Sequence, residues 1–159
     1  MSKDADIIEG SFVVEQRTEI AAPRAKAWAA LLDVDAWWSH HMFKPRRKFV
    51  LEPWPGGRFY EAVENNQGAL WGTVTHLETE RLLRLSGALG MSLPVSSCYE
   101  YRLTDGPGQS TVLHLTHRAI GILMKDWKQR HEDGWAEMMK NLTAFTERGA
   151  RVAPASTSH

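Results

Sequence analysis

Between Ser11 and Ile20 apolar and polar residues alternate, with Phe12, Val14, Thr18 and Ile20 on one parity and Glu15, Arg17 and Glu19 on the other. That period of two predicts a half-buried strand. Pro23 then suits a first helical turn, where its missing N–H costs nothing, and Ala25, Ala27, Trp28, Ala29, Leu31 and Leu32 continue as helix formers with an apolar stripe. Asp33 or Asp35 is positioned to cap a second short helix carrying Trp37 and Trp38.

Strands follow in close succession. Arg47–Glu52 is ended by Pro53 and Pro55, Gly56-Gly57 turns into a strand over Arg58–Glu64, and Asn65-Asn66-Gln67-Gly68 closes a hairpin into Ala69–Glu78. Arg81–Ser86, Val95–Thr104 and Ser110–Arg118 read as three more, the last two joined by the turn Asp105-Gly106-Pro107-Gly108. Each link is short enough for an antiparallel meander. The period then changes. Asp126 and Gln129 make a variant capping box, Trp135, Met138, Met139, Leu142 and Phe145 recur at helical spacing, and Gly149 supplies the stop. A helix of that length is ~33 Å long, and its stripe needs a large concave surface, which only the sheet offers. The order is that of an α+β helix-grip: a strongly curved, seven-stranded antiparallel sheet wrapped around a long C-terminal helix, with two short helices after the first strand. Because a bent sheet seldom meets a helix along its whole length, an internal cavity between them is expected.

Composition narrows the function. At 159 residues with 43% apolar positions, the chain fits a single domain, over 10–149, with 1–9 and 150–159 as flexible tails. Nineteen Lys and Arg balance nineteen Asp and Glu with no long run of one sign, which argues against a nucleic-acid partner. No stretch has the run of apolar residues that membrane insertion by a helix needs, and the first residues lack an apolar leader core. One cysteine, Cys98, cannot close an internal disulfide and fits a reducing cytoplasm. Seven tryptophans stand out, because rings of that size either fill an irregular core or line a ligand cavity.

Four stretches also carry a resemblance: Ile20-Ala21-Ala22-Pro23-Arg24-Ala25-Lys26-Ala27-Trp28, Trp37-Trp38, Gly56-Gly57-Arg58-Phe59, and Thr116-His117-Arg118-Ala119 followed by Gly134-Trp135. Together with Gly72-Thr73-Val74 and Glu80-Arg81-Leu82, their order and spacing over about 12–148 are similar to the START-like (SRPBCC) superfamily. Within it they resemble the bacterial relatives of the activator of the ninety-kilodalton heat-shock-protein ATPase. Members include lipid carriers, plant hormone receptors and polyketide cyclases, so the resemblance implies the helix-grip fold and a pocket for an apolar small molecule. The physics agrees at two of these positions: Gly57 permits a tight start to a strand, and Gly134 inside a helix is best explained by a neighbour packed too closely for a Cβ.

Candidate chemistry is sparse. His117 shares strand parity with Leu113 and Leu115 and points inward, while His131 lies one turn before Trp135 on the same helix stripe. Each is either a core histidine satisfied by a carbonyl or a ligand contact. Glu61 shares parity with Phe59 and Val63, so it too faces inward, either salt-bridged to a pocket arginine or raised in pKa. His40 and His41 tempt a metal reading, but no second local pair and no cysteine accompany them, and His114 has the parity opposite to His117, so no metal or other cofactor is expected. Cys98 falls outward on its strand, and no nucleophile elbow or phosphate loop is present in the sequence. Leu89, Met91 and Leu93 in the Gly-punctuated 87–94 segment suit either a lid over a pocket mouth, a statically packed loop, or a homodimer contact.

Three functions compete. The first is binding of a small apolar or aromatic molecule among Phe59, Trp71, Leu85, Tyr99 and Tyr101, with His117, His131, Trp135 and Met138 completing the site. The second is an enzyme of cyclase, dehydratase or aldol type that moves protons through Glu61 or His117. The third, carried by the resemblance alone, is a co-chaperone-like protein-binding role. Monomer and homodimer both remain open.

Overall fold

Alternation and helical spacing translate directly into elements in the computed structural model, which describes residues 6–152. Its strands are β1 (Ile7–Ile20), β2 (Lys48–Leu51), β3 (Arg58–Val63), β4 (Gln67–Glu78), β5 (Leu82–Ser86), β6 (Val95–Asp105) and β7 (Thr111–Met124). Its helices are α1 (Arg24–Leu32), α2 (Val34–Trp37) and α3 (Trp127–Arg148). All strands join one antiparallel sheet in the order β1-β7-β6-β5-β4-β3-β2, so hairpins run from β2 to β7 and β1 closes on β7. This is the α+β helix-grip arrangement, with α3 lying against β1, α1 and α2.

The sheet bends where β4 carries extra residues. Pairing steps from Phe59↔Gly72 to Tyr60↔Leu70, passing over Trp71, and again from Val74↔Leu85 to His76↔Arg84, passing over Thr75. Bulges of this kind increase twist and re-aim the bulged side chain. At the start of β3 a Cβ on Gly57 would collide with the Glu52 carbonyl oxygen, which is why the tight turn into that strand takes glycine.

Several details differ from the pattern. β1 begins at Ile7 and β7 runs on to Met124, so residues 7–9, read as tail, are paired with 122–124. Alternation hides this extension because Gly10 faces Gly121 and neither contributes a side chain to the period. At the other end Val152 N–H donates to Ala36 O (2.9 Å), and the Arg151 guanidinium stacks over the Phe145 ring at 5.7 Å, so 150–152 dock rather than dangle. The remaining tail positions, 1–5 and 153–159, lie outside the described residues. Neither aspartate cap forms: Asp33 and Asp126 occupy N-cap positions, but their backbone angles keep the carboxylates off the helix N–H groups. Gln129 donates to Asp133 instead (3.0 Å). Asp35 is buried and accepts from Phe49 N–H (2.9 Å) and Arg46 Nη1 (3.1 Å), which ties α2 to β2. The stop at Gly149 holds, with its N–H donating to Phe145 O at 2.9 Å.

Candidate functional site

Four tryptophans from separate parts of the chain converge at the end of the sheet nearest the start of α3. Trp135 comes from the buried stripe of α3, Trp127 opens that helix, Trp38 follows α2, and Trp71 is the residue that the β4 bulge turns inward. Trp38 is the hub, with ring centroids 4.9 Å from Phe59, 5.6 Å from Trp71 and 5.7 Å from Trp135, all edge to face. That geometry suits the ring quadrupoles. Its own indole N–H is buried and has no hydrogen-bond acceptor among the described residues. Ring faces surround it, and these accept only weakly.

These indoles border an open pocket of about 310 Å³. Met138 and Leu89 extend its apolar wall, and Met91 stands at its margin. Four polar side chains reach it: His40, Ser92, Arg130 and His131. His40 Nε2 is 3.0 Å from Glu137 Oε2 and its ring lies across Gly134, where an added Cβ would stand 3.0 Å from His40 Cε1. The close neighbour expected at Gly134 is therefore a histidine of the pocket rim. His131 Nδ1 is 2.7 Å from Trp127 O; a carbonyl only accepts, so Nδ1 carries the proton and the neutral ring keeps Nε2 as an acceptor. Burial lowers the His131 pKa, against the Trp127 hydrogen bond, and the neighbouring Arg130 and His40 lower it further.

Of the residues singled out from sequence, Trp71, His131, Trp135 and Met138 border this pocket. Phe59, Leu85, Tyr99, Tyr101 and His117 do not: they are fully packed behind its wall. These five are packed side by side in the interior, and the pocket opens beside them between Trp71 of β4 and the first half of α3. Tyr99 O–H donates to Trp71 O (3.1 Å), and burial raises the pKa of both tyrosines.

Glu61 does face inward and is fully buried, but it meets no pocket arginine. Its Oε1 accepts from Met42 N–H (2.6 Å) and Trp71 Nε1–H (2.9 Å), and its Oε2 accepts from Phe43 N–H (3.1 Å). The carboxylate thus clamps the segment after α2 to the bulged indole. His117 is equally engaged. Trp135 Nε1–H donates to its Nδ1 (3.0 Å), and because an indole N–H never accepts, the proton sits on Nε2 and is given to Ser97 Oγ (2.8 Å). Burial, assisted by His131 beside it, lowers the His117 pKa to about 3, so the ring is neutral. Cys98 and His114 are exposed on the outer face, as their parity requires. Among the described residues, no three His, Cys, Asp or Glu side chains converge as a metal site would need.

The sequence pattern of the family described as activator of Hsp90 ATPase homolog 1-like protein matches residues 21–147. The chain belongs to that family. None of the curated proteins matches it. Among solved structures, a protein from Rhizobium leguminosarum superposes with a TM-score of 0.68 at 19% identity, covering 89% of this chain and 98% of that one. DynU16, from the dynemicin biosynthetic locus, gives 0.68 at 18%, covering 92% of this chain and 56% of that one. The Aha1 dimer from Colwellia psychrerythraea gives 0.63 at 18%, covering 87% and 98%. At these identities the likeness is one of fold.

Within this activator-of-Hsp90-ATPase-like domain, sequence reasoning missed Trp38, Trp127, His40 and Arg130 as parts of one site. A signal was present. Trp127, Arg130, His131, Gly134, Trp135 and Met138 follow one helical face, but the charged and glycine members interrupt the apolar stripe and mask it. The 87–94 loop packs down, with Leu89 buried and Met91 and Leu93 half-buried, so it offers little exposed apolar area for a dimer contact. Among the described residues no helix is long and apolar enough to cross a membrane.

Proposed function

We propose that this domain binds a small apolar or aromatic molecule in the pocket bounded by the first half of α3, the 87–94 loop and the Trp38 segment. One observation carries the reading: four indoles and the Met138 thioether surround the same open space of about 310 Å³. Ligand sites begin at roughly 300 Å³ and combine apolar walls with a few polar groups, as here. Binding is favoured over acid–base turnover because neither Glu61 nor His117 borders the pocket, and protein partners engage both Glu61 oxygens and both His117 ring nitrogens. The single cysteine fits a cytoplasmic setting for this role.

Native mass spectrometry of protein purified from its own host tests the proposal, with a co-purified apolar compound as the expected result. Adding such a compound back at a hundred times its Kd stabilises the fold by about 2.7 kcal/mol and shifts thermal unfolding upward. No retained compound, no shift and unchanged tryptophan emission across a panel of apolar aromatics would overturn it.

A further inference from the structure

We infer that the molecule this pocket takes is an amphiphile with one anionic group, its apolar or aromatic body lying among the indoles and its carboxylate or sulfonate meeting Arg130 at the opening. The inference rests on the binding reading above and adds the charge of the ligand to it.

Three observations carry it. First, the pocket is chemically lopsided: indoles and thioethers form its walls, while Arg130, His131, His40 and Ser92 supply its polar groups, and no aspartate or glutamate is among the described residues that border it. Second, Arg130 is held only by a loose surface ion pair. Its Nη1 stands 3.9 Å from Asp126 Oδ2, beyond hydrogen-bonding reach, and its side chain is 68% exposed, so the fork can turn to a ligand oxygen. Third, the nearby carboxylates other than Asp126 are engaged elsewhere. Glu137 accepts from Ser39 Oγ (2.6 Å) and His40 Nε2 lies 3.0 Å from it, Asp133 accepts from Gln129 (3.0 Å), Glu132 lies 3.9 Å from Lys128 Nζ, and Glu61 is behind the wall on the Trp71 indole.

Indole walls by themselves would equally suit a cation, because ring faces attract ammonium groups. Arg130 decides the sign. A cation seated among the tryptophans would have to pass the guanidinium, whereas an anion gains a charge-assisted hydrogen bond there.

Naphthylacetate, its uncharged analogue naphthylacetamide and the cationic naphthylmethylammonium share one ring body and differ in head-group charge. Titrated against the tryptophan emission of the full chain, the acetate should bind about tenfold more tightly than the amide, with the ammonium weakest. Arg130→Gln should abolish most of that ratio by weakening the acetate alone, and Arg130→Lys should restore part of it, both with thermal unfolding unchanged. Equal affinities for acetate and amide, an ammonium that binds tightest, or a ratio that survives in Arg130→Gln would overturn the inference while leaving the pocket itself standing. If none of the three probes binds, the binding reading fails and this inference falls with it.

Discussion

A buried carboxylate is costly unless its lone pairs are met, and Glu61 meets the requirement with three N–H donors instead of a countercharge. Parity on β3 located this residue correctly, but no sequence signal says that the donors come from the backbone of Met42 and Phe43 and from a bulged tryptophan. Glu61→Gln tests the role. Its amide keeps one acceptor oxygen for Met42 and Trp71 and turns an NH₂ toward Phe43 N–H, a donor facing a donor. The expected loss is about 2 kcal/mol in urea unfolding, with the native fold retained. A change under about 0.5 kcal/mol would show that the clamp contributes nothing.

Helix α3 joins the core to the pocket, and Gly134 shows how. Alanine there would gain up to ~1 kcal/mol of helix propensity, while its Cβ would press on His40, a side chain 48% exposed and held by one surface contact to Glu137. The ring can swing away, so Gly134→Ala should raise stability by roughly 0.5 kcal/mol in thermal unfolding and weaken binding of an aromatic probe by narrowing the opening. A loss beyond about 1 kcal/mol would mean that His40 is fixed where it stands. The β4 bulge is the sheet's counterpart: by skipping Trp71 in the ladder it places two consecutive buried residues, Trp71 and Gly72, where alternation predicts one. Period-two reasoning has no means of detecting an inserted residue.

Across the whole molecule the buried histidines set an acid limit. His117 titrates near 3 in the folded chain against an ordinary 6.5, so between those values the unfolded chain binds a proton that the folded one refuses. Its contribution is complete above the ordinary value and drains as pH falls through that window, and His131, also lowered, acts in the same sense. Denaturant unfolding should therefore lose about 1–2 kcal/mol between pH ~7 and pH ~5, before most carboxylates titrate. His117→Gln, which can still accept from Trp135 and donate to Ser97, should flatten that slope; an unchanged slope would assign the loss to other groups. The fold was largely legible in the chain because strand alternation and the α3 stripe are local periodicities, and burial of one face per element leaves little choice of topology. Inward placement of Glu61 and His117 followed from strand parity, and that of Trp135 from the helical stripe. Which of the inward residues fill the core and which border open space was not encoded locally. Tyr99 and Tyr101 have the same pattern as a pocket wall, yet they are packed solid, while Trp38, Trp127 and Arg130 meet at the opening only because the bulged sheet, the segment after α2 and the first turns of α3 come together there. Side-chain direction is a property of a few neighbouring residues; empty volume belongs to the fit between distant ones, and the tertiary structure alone decides it.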